Sequence, residues 1–444
     1  MNQEQLQALI CGVRQKTEIP GIVATVASAT TALTALEGVA SLDSGVALTT
    51  ECRFQLGCIT KLLTTLVVSE LARTKTLDLQ APVAEYISEF RSVPKAKEIQ
   101  IGHLASHTSG YQGPNIARPE VGYFYSWKKF ADQFAAAPQL FQPGTVFNYE
   151  HTEAVILGEI VRRAIKASPD ELIRQLVFEP LRLIPGRIKS DSSQTQFHVC
   201  DHGAGPANAG YKTLRTVPYS PFWLSSLSDI TLSAADLLTL GWEMINSNRS
   251  KLGREAIEGS RRQMVRVTPT IGGAQREQTP LSLGLGCAKY PGGLFGHNGS
   301  ARGQTCAFRF SPERGMVIVI ALNTWNPWVR DWIVNRVAAS VEPGEPASCA
   351  VAKPDLDRLE DWEGCYASCV QGVTLTARRQ GEELVCDLLN EPSGATVNLS
   401  VMRDSEGEVT MKSEISYVSL GLFRESGAGV PCFMIGMNAF KRVS

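Results

Sequence analysis

Several things are missing from this sequence, and each absence narrows what the chain can do. There is no surplus of charge: 43 Lys and Arg face 44 Asp and Glu, a formal net charge of -1. A nucleic-acid binder, or a protein held on an anionic membrane, needs a basic excess, so neither partner is expected. No apolar run is long enough to span a bilayer. The N-terminal stretch MNQEQLQALICGVRQKTEIPG has no basic region leading into an apolar core. No secretory signal is therefore expected, although a chain whose leader had been removed would read the same. The 11 cysteines are an odd number without short regular spacing. In a chain without a leader they are expected as reduced thiols in a cytoplasm, mostly buried as small apolar residues. Internal repeats and low-complexity tracts are absent as well.

What is present is 444 residues, 43% hydrophobic and 20% charged, enough for two or three globular domains. GIVATVAS (Gly21 to Ser28) and TALTALEGVAS (Thr31 to Ser41) read as paired strands, and Ile59 to Thr74 as a helix with few breakers. SAADLLTLGWEMI reads as a helix capped by Ser233. LSLGLGCAKY, GQTCAFRFSP and GMVIVIALNT read as sheet strands, and WVRDWIVNRVAASV as a closing helix. Residues 342–355, rich in Pro, Ala and Ser, read as a linker between a domain over 1–341 and a small all-β domain over 356–444. The short strands of the latter predict a small barrel or sandwich. The expected class is α/β (α+β): strands from both ends of the first domain form one sheet, and the middle makes a helical lobe.

Chemistry concentrates in FQLGCITKLL. Cys58 and Lys61 are three residues apart, so a helix places them on one face, within reach. Cys58 stands where the helix begins, and the unpaired N–H groups and dipole there favour an anion. The ammonium pushes the same way. Two further stretches stand out. FNYEHTEAVILGEIV puts Tyr149, Glu150 and His151 just before an apolar helix, and GLFGHNGSARGQTCAFRF puts His297, Asn298 and Gly299 between strands.

Together with LGCITK, these stretches resemble the S-x-x-K, Y-x-N and (K/H)-(T/S/N)-G motifs of the serine β-lactamase and penicillin-binding-protein superfamily, in that order and at similar separations. The flanks EIPGIVATVA, LDLQAPVAEYISEF and IQIGHLASHTSGY match too, and the likeness runs from Leu6 to Val341. It is best to the branch of class C β-lactamases, D-peptidases and esterases. The resemblance implies Cys58 as nucleophile, Lys61 as the base that takes its proton and Tyr149 as the phenol that relays protons to the leaving group. It makes His297, with substrate-binding Asn298 and Gly299, one wall of the site on an edge strand. The N–H groups of Cys58 and Ser300 would form the oxyanion hole. The small C-terminal domain resembles the barrel-like, lipocalin-like module of some members.

Two departures matter. The family nucleophile is Ser, and the third residue of its second motif is usually Asn where this chain has His151. The two changes can belong together, since Cys–His pairs activate nucleophiles elsewhere. Alternatively, His151 stands in for Asn as a neutral donor. The expected activity is acyl transfer through an acyl-Cys58 thioester, hydrolysing or transferring acyl groups of small ester, thioester or amide substrates, a carrier-protein-bound acyl chain among them. No cofactor or metal is implied. Two other readings stand beside it: an ordinary esterase, amidase or peptidase of the family with a tolerated or introduced Cys, and a non-catalytic binding protein on the same fold. The retention of both Lys61 and Tyr149 argues against the last.

Other features carry less. His198, Cys200 and His202 alternate, but three ligands within five residues with no fourth make a poor metal site. His107 in SHTSGY is expected to order a loop, and Asn323 to be structural. Gly284 and Gly286 lack a phosphate-loop context. Tyr111, Tyr123, Tyr125, Trp127, Phe222 and Trp223 are candidates either for an apolar acyl site or for packing.

Overall fold

In the computed structural model the described residues are 1–113, 127–187, 202–204, 211–213, 230–250, 252–262, 264–267, 280–301, 303–341, 359–368, 373–390, 395–403, 409–413, 420–424, 431–435 and 438–443. Internal contacts divide the chain into two units, Met1–Thr76 with Ile165–Arg262 and Leu285–Ala347, and Leu77–Ala164 with Gln263–Gly284 and Ser348–Ser444. The linker expected at 342–355 lies outside the described residues.

The first unit is built on an antiparallel sheet. Its elements are helix α1 (Gln3–Thr17), strands β1 (Gly21–Ser28) and β2 (Ala32–Gly38), helices α2 (Ile59–Arg73) and α3 (Ala234–Ile245), strands β3 (Ala288–Tyr290), β4 (Leu294–Ala301), β5 (Gln304–Ser311) and β6 (Met316–Leu322), and helix α4 (Pro327–Val341). The strand order is β2-β1-β6-β5-β4-β3, so the two ends of the chain meet at the β1–β6 pairing, where Ile22 faces Leu322. Every residue of β5 and β6 is buried, as the unbroken apolar run MVIVIAL requires of a central strand covered on both faces. α1 buries Leu6, Ile10 and Val13, and its capping box joins Asn2 to Gln5. Ser233 caps α3 through Asp236. α2 is buried from Ile59 to Ser69, apolar nearly all round, as befits a central helix.

The second unit joins the helical segment that contains His151–Ile165 to the C-terminal strands. These form one eight-stranded antiparallel sheet, a half-barrel in which Gly364–Ser368 pairs with Asn438–Arg442, the last strand. Trp362, Tyr366 and Phe433 make its aromatic core, and the Tyr366 hydroxyl donates to the Trp362 carbonyl at 2.7 Å. Sheet and helical segment are tied directly: the Ala439 N–H donates to Asn148 Oδ1 at 2.8 Å, and Gln112 Nε2 to the Ser368 carbonyl at 2.8 Å.

Candidate functional site

The nucleophile segment begins with the short strand Arg53–Gln55, which pairs with Ile230–Ser233. It reaches α2 through Leu56 and Gly57. Gly57 has φ +50°, and a Cβ there would lie 2.5 Å from the Ser300 carbonyl oxygen and 2.7 Å from the Ser300 nitrogen. A Cβ on Gly299 would lie 2.0 Å from the Leu56 carbonyl oxygen and 3.3 Å from Ile59 Cδ1. Two glycines thus let the turn that carries Cys58 rest directly on the backbone of β4. Cys58 occupies the N-cap of α2 and is half-buried. Lys61 is 2% exposed, and its Nζ lies 3.4 Å from Cys58 Sγ. The helix therefore places thiol and amine on one face, and the sulfur faces both a cationic group and the positive end of the helix.

The third motif lies inside β4, not between strands. Glycine at 296, 299 and 303 makes the stretch read as a turn, but a strand accepts glycine where another backbone comes close. β3 pairs with β4 only as far as Gly296, so His297 to Ala301 pair on one side, with β5. Alternation puts His297 and Gly299 on one face of the strand, Asn298 and Ser300 on the other. His297 is 5% exposed, and its Nδ1 lies 2.5 Å from the Asn298 carbonyl. A carbonyl only accepts, so Nδ1 carries a proton and donates to it.

The Asn298 amide belongs to a buried charge cluster. Arg309 Nη2 donates to its Oδ1 at 2.6 Å, and its Nδ2 points to Asp331 Oδ1 at 3.4 Å. Arg330 makes a two-pronged pair with Asp331 at 2.8 and 2.9 Å and reaches the Gly299 carbonyl at 3.3 Å. The Arg309 guanidinium lies 3.6 Å from the centroid of the Tyr290 ring, and burial lowers its pKa. The net positive charge of two guanidiniums and one carboxylate thus lies behind the strand that carries Ser300.

In the second unit, Tyr149 is 8% exposed and His151 opens the helix His151–Ile165. Their rings meet edge-on at 5.3 Å and 83°. Between them Glu150 is buried, and burial pushes its carboxyl up to about 8. Its Oε1 accepts from the Thr152 N–H at 3.1 Å and from the Thr152 hydroxyl at 3.2 Å. One turn on, Glu153 is also buried and also raised, and its Oε2 lies 2.5 Å from His107 Nδ1. Glu153 was not singled out from the sequence. The available signal was two acids flanking a histidine at the start of an apolar helix.

The remaining candidates divide plainly. Tyr111 is 1% exposed and packs edge-on against Phe134, and Trp127 packs on Phe90, with its indole donating to Glu89 at 2.9 Å. Both are packing residues. Asn323 is fully buried and donates to the Val39 carbonyl at 2.8 Å, a structural tie. A Cβ on Gly286 would meet Thr65 of α2 at 2.2 Å, so that glycine serves close packing. Tyr123, Tyr125, His198, Cys200, Phe222 and Trp223 lie outside the described residues. Among the described residues no group of His, Cys, Asp and Glu could hold a metal, and no helix is long and apolar enough to cross a membrane. Burial pushes the thiols of Cys287, Cys306 and Cys386 up to about 12, which makes them inert beside the half-buried Cys58.

Comparison with known proteins places the family and the fold. A family profile described as Beta-lactamase matches residues 6–340. Penicillin-binding protein 4 of Amycolatopsis lactamdurans is 26% identical over 299 residues, 64% of this chain and 76% of that protein. Esterase EstB of Burkholderia gladioli is 27% identical over 162 residues, 33% of this chain and 41% of its own length. Among solved structures, SurE superposes with a TM-score of 0.75 at 20% identity, over 99% of both chains. The octameric penicillin-binding protein homologue from Pyrococcus abyssi superposes at 0.64 and 17% identity over the whole of both chains. Both likenesses include the C-terminal half-barrel.

Proposed function

Because the chain belongs to the β-lactamase family, we propose that it is an acyl-transfer enzyme working through a thioester on Cys58. The observation that carries the reading is the approach of Lys61 Nζ to Cys58 Sγ, 3.4 Å, at the start of α2. With the Cys58 proton passed to Nζ, the sulfur attacks as a thiolate. The S–C bond forms, and the carbonyl electrons move onto oxygen. The N–H groups of Cys58 and Ser300 are assigned to that oxyanion, where such donors contribute about 3–4 kcal/mol. Collapse breaks the bond to the leaving group, which takes a proton from the Tyr149 hydroxyl, and Lys61 resupplies it. Water or an amine then attacks the thioester and releases Cys58.

His151 is assigned beside Tyr149 as a donor, or as partner to the thiolate. His297 is assigned to one wall of the site, with Nδ1 held by the Asn298 carbonyl. Asn298 and Gly299 are assigned to hold the substrate-facing strand, Asn298 through Arg309 and Asp331. The substrates that fit are small esters, thioesters or amides. A Cys nucleophile favours thioester donors, since exchange of one thioester for another is nearly thermoneutral. A carrier-protein-bound acyl chain is such a donor, and specialised metabolism in the cytoplasm is the setting it suggests.

The Cys58→Ser variant tests this, assayed with thioester and ester donors, with an amine acceptor and with water alone. The proposal expects transfer from thioesters to fall strongly, while simple ester hydrolysis falls less or rises. An equal change in both reactions would leave an ordinary family hydrolase as the better account.

A further inference from the structure

We infer that Glu153, acting through His107, is a positioning residue for the Tyr149 ring. The inference rests on the reading that Tyr149 carries the leaving-group proton. His107 has φ +55°, a left-handed conformation uncommon for a residue with a side chain. It persists because the surroundings hold it from three sides. The His107 carbonyl accepts from the Asn148 N–H at 2.9 Å. Its Nδ1 lies 2.5 Å from Glu153 Oε2, a hydrogen bond between ring and carboxyl. Its ring lies against the Tyr149 ring, centroids 4.6 Å apart at 44°, and meets Phe147 edge-on at 6.4 Å.

Glu153 divides its two oxygens across one turn. Oε2 takes the His107 ring, and Oε1 accepts from the Ser109 N–H at 3.2 Å. The carboxyl therefore clamps both ends of the 107–109 turn to the helix that starts at His151, and the clamped imidazole becomes the surface on which Tyr149 lies. Asn148, the residue before Tyr149, is held at both its N–H and its side chain, by His107 and Ala439. The backbone of Tyr149 is thus anchored, and its ring lies between the imidazole of His107 and the edge-on ring of His151. The other titratable groups facing this cluster are Glu150, whose N–H lies 3.4 Å from His107 Nδ1, and His151, edge-on to Tyr149. A carboxyl buried to 1% exposure gives up its hydration, and what it holds in exchange is the plane of one imidazole and the backbone of Ser109.

The test is a double-mutant cycle read by kcat and KM, with Tyr149→Phe, Glu153→Gln and the double variant. Glu153→Gln keeps an acceptor for Ser109 but replaces the acid that orients His107. The expected result is a kcat lower by roughly 10–100-fold, the scale of a small misplacement of a reacting group, with KM unchanged. Adding Glu153→Gln to Tyr149→Phe should then cost nothing further, because Glu153 acts only through Tyr149. Effects that multiply in the double variant, or wild-type kcat in Glu153→Gln, overturn the inference and leave the Tyr149 assignment standing. Wild-type kcat in Tyr149→Phe overturns both. Should Glu153→Gln fail to fold, His107→Gln in the same cycle decides, with the same non-additivity expected.

Discussion

Gly299→Ala is the sharpest small perturbation of the proposed machinery. The added methyl would lie 2.0 Å from the Leu56 carbonyl oxygen and 3.3 Å from Ile59 Cδ1. Backbone cannot swing aside as a long side chain can, so the turn and the strand must part by about 1 Å to reach even a 3.0 Å contact. That displacement falls between Cys58 and the Ser300 N–H, the two groups assigned to one oxyanion. A shift of this size costs about 10²-fold in rate, and the overpacking costs about 1–3 kcal/mol in stability. Gly12→Ala is the control. It lies in α1 with nothing within 4 Å, and it should leave the rate unchanged while stabilising the helix by up to about 1 kcal/mol. The assay is the rate of Cys58 acylation by an activated thioester, alongside thermal unfolding. Acylation of Gly299→Ala at the wild-type rate would refute the claim that this contact sets the geometry of the site.

Other outcomes follow from the same structure. Lys61→Met should cut acylation of Cys58 by roughly 10²–10⁴-fold, the usual contribution of a positioned proton acceptor, while denaturant unfolding shows the fold retained. Asp331→Asn leaves Arg330 buried without its charge partner and should destabilise by about 3–5 kcal/mol in chemical denaturation. Glu150, raised from 4.5 to about 8, is protonated in the folded chain while the unfolded chain has already ionised. Its stabilisation is therefore complete below about pH 4.5 and is lost as pH rises towards 8, with a slope of about 1.4 kcal/mol per pH unit in between. Glu150→Gln, which keeps an acceptor for Thr152, should flatten that slope in unfolding curves taken across the window.

The sequence was legible where local pattern and tertiary role coincide. α2 was readable because an apolar helix with Cys58 and Lys61 at its start has few alternatives. β1 and β6 were readable because strands buried on both faces are almost wholly apolar, and β5 because its apolar residues alternate with Thr305 and Arg309. Ser233 announced its helix as an N-cap, which the structure extends to a capping box with Asp236. The cap of α1, Asn2 with Gln5, stands at the very start of the chain. The third motif misled because glycine and asparagine are turn residues locally, and their use in β4 depends on the approach of Leu56 and Gly57 from far along the chain. Glu150 and Glu153 were opaque for a related reason: a glutamate at a helix start usually faces solvent. Only packing shows that both are buried beside His107. The direction of the Asn298 side chain likewise follows from strand alternation and from Arg309 and Asp331, residues that no motif contains.

The central claim is that Cys58 carries the acyl group. It is tested most directly by intact-mass and peptide-mapping mass spectrometry of the protein quenched during turnover of a thioester donor. The account predicts one acyl group, located on the peptide that contains Cys58 and absent from Cys58→Ala, with no label on Cys287, Cys306 or Cys386. Turnover that proceeds with no acyl group on Cys58, or that survives in Cys58→Ala, would contradict it.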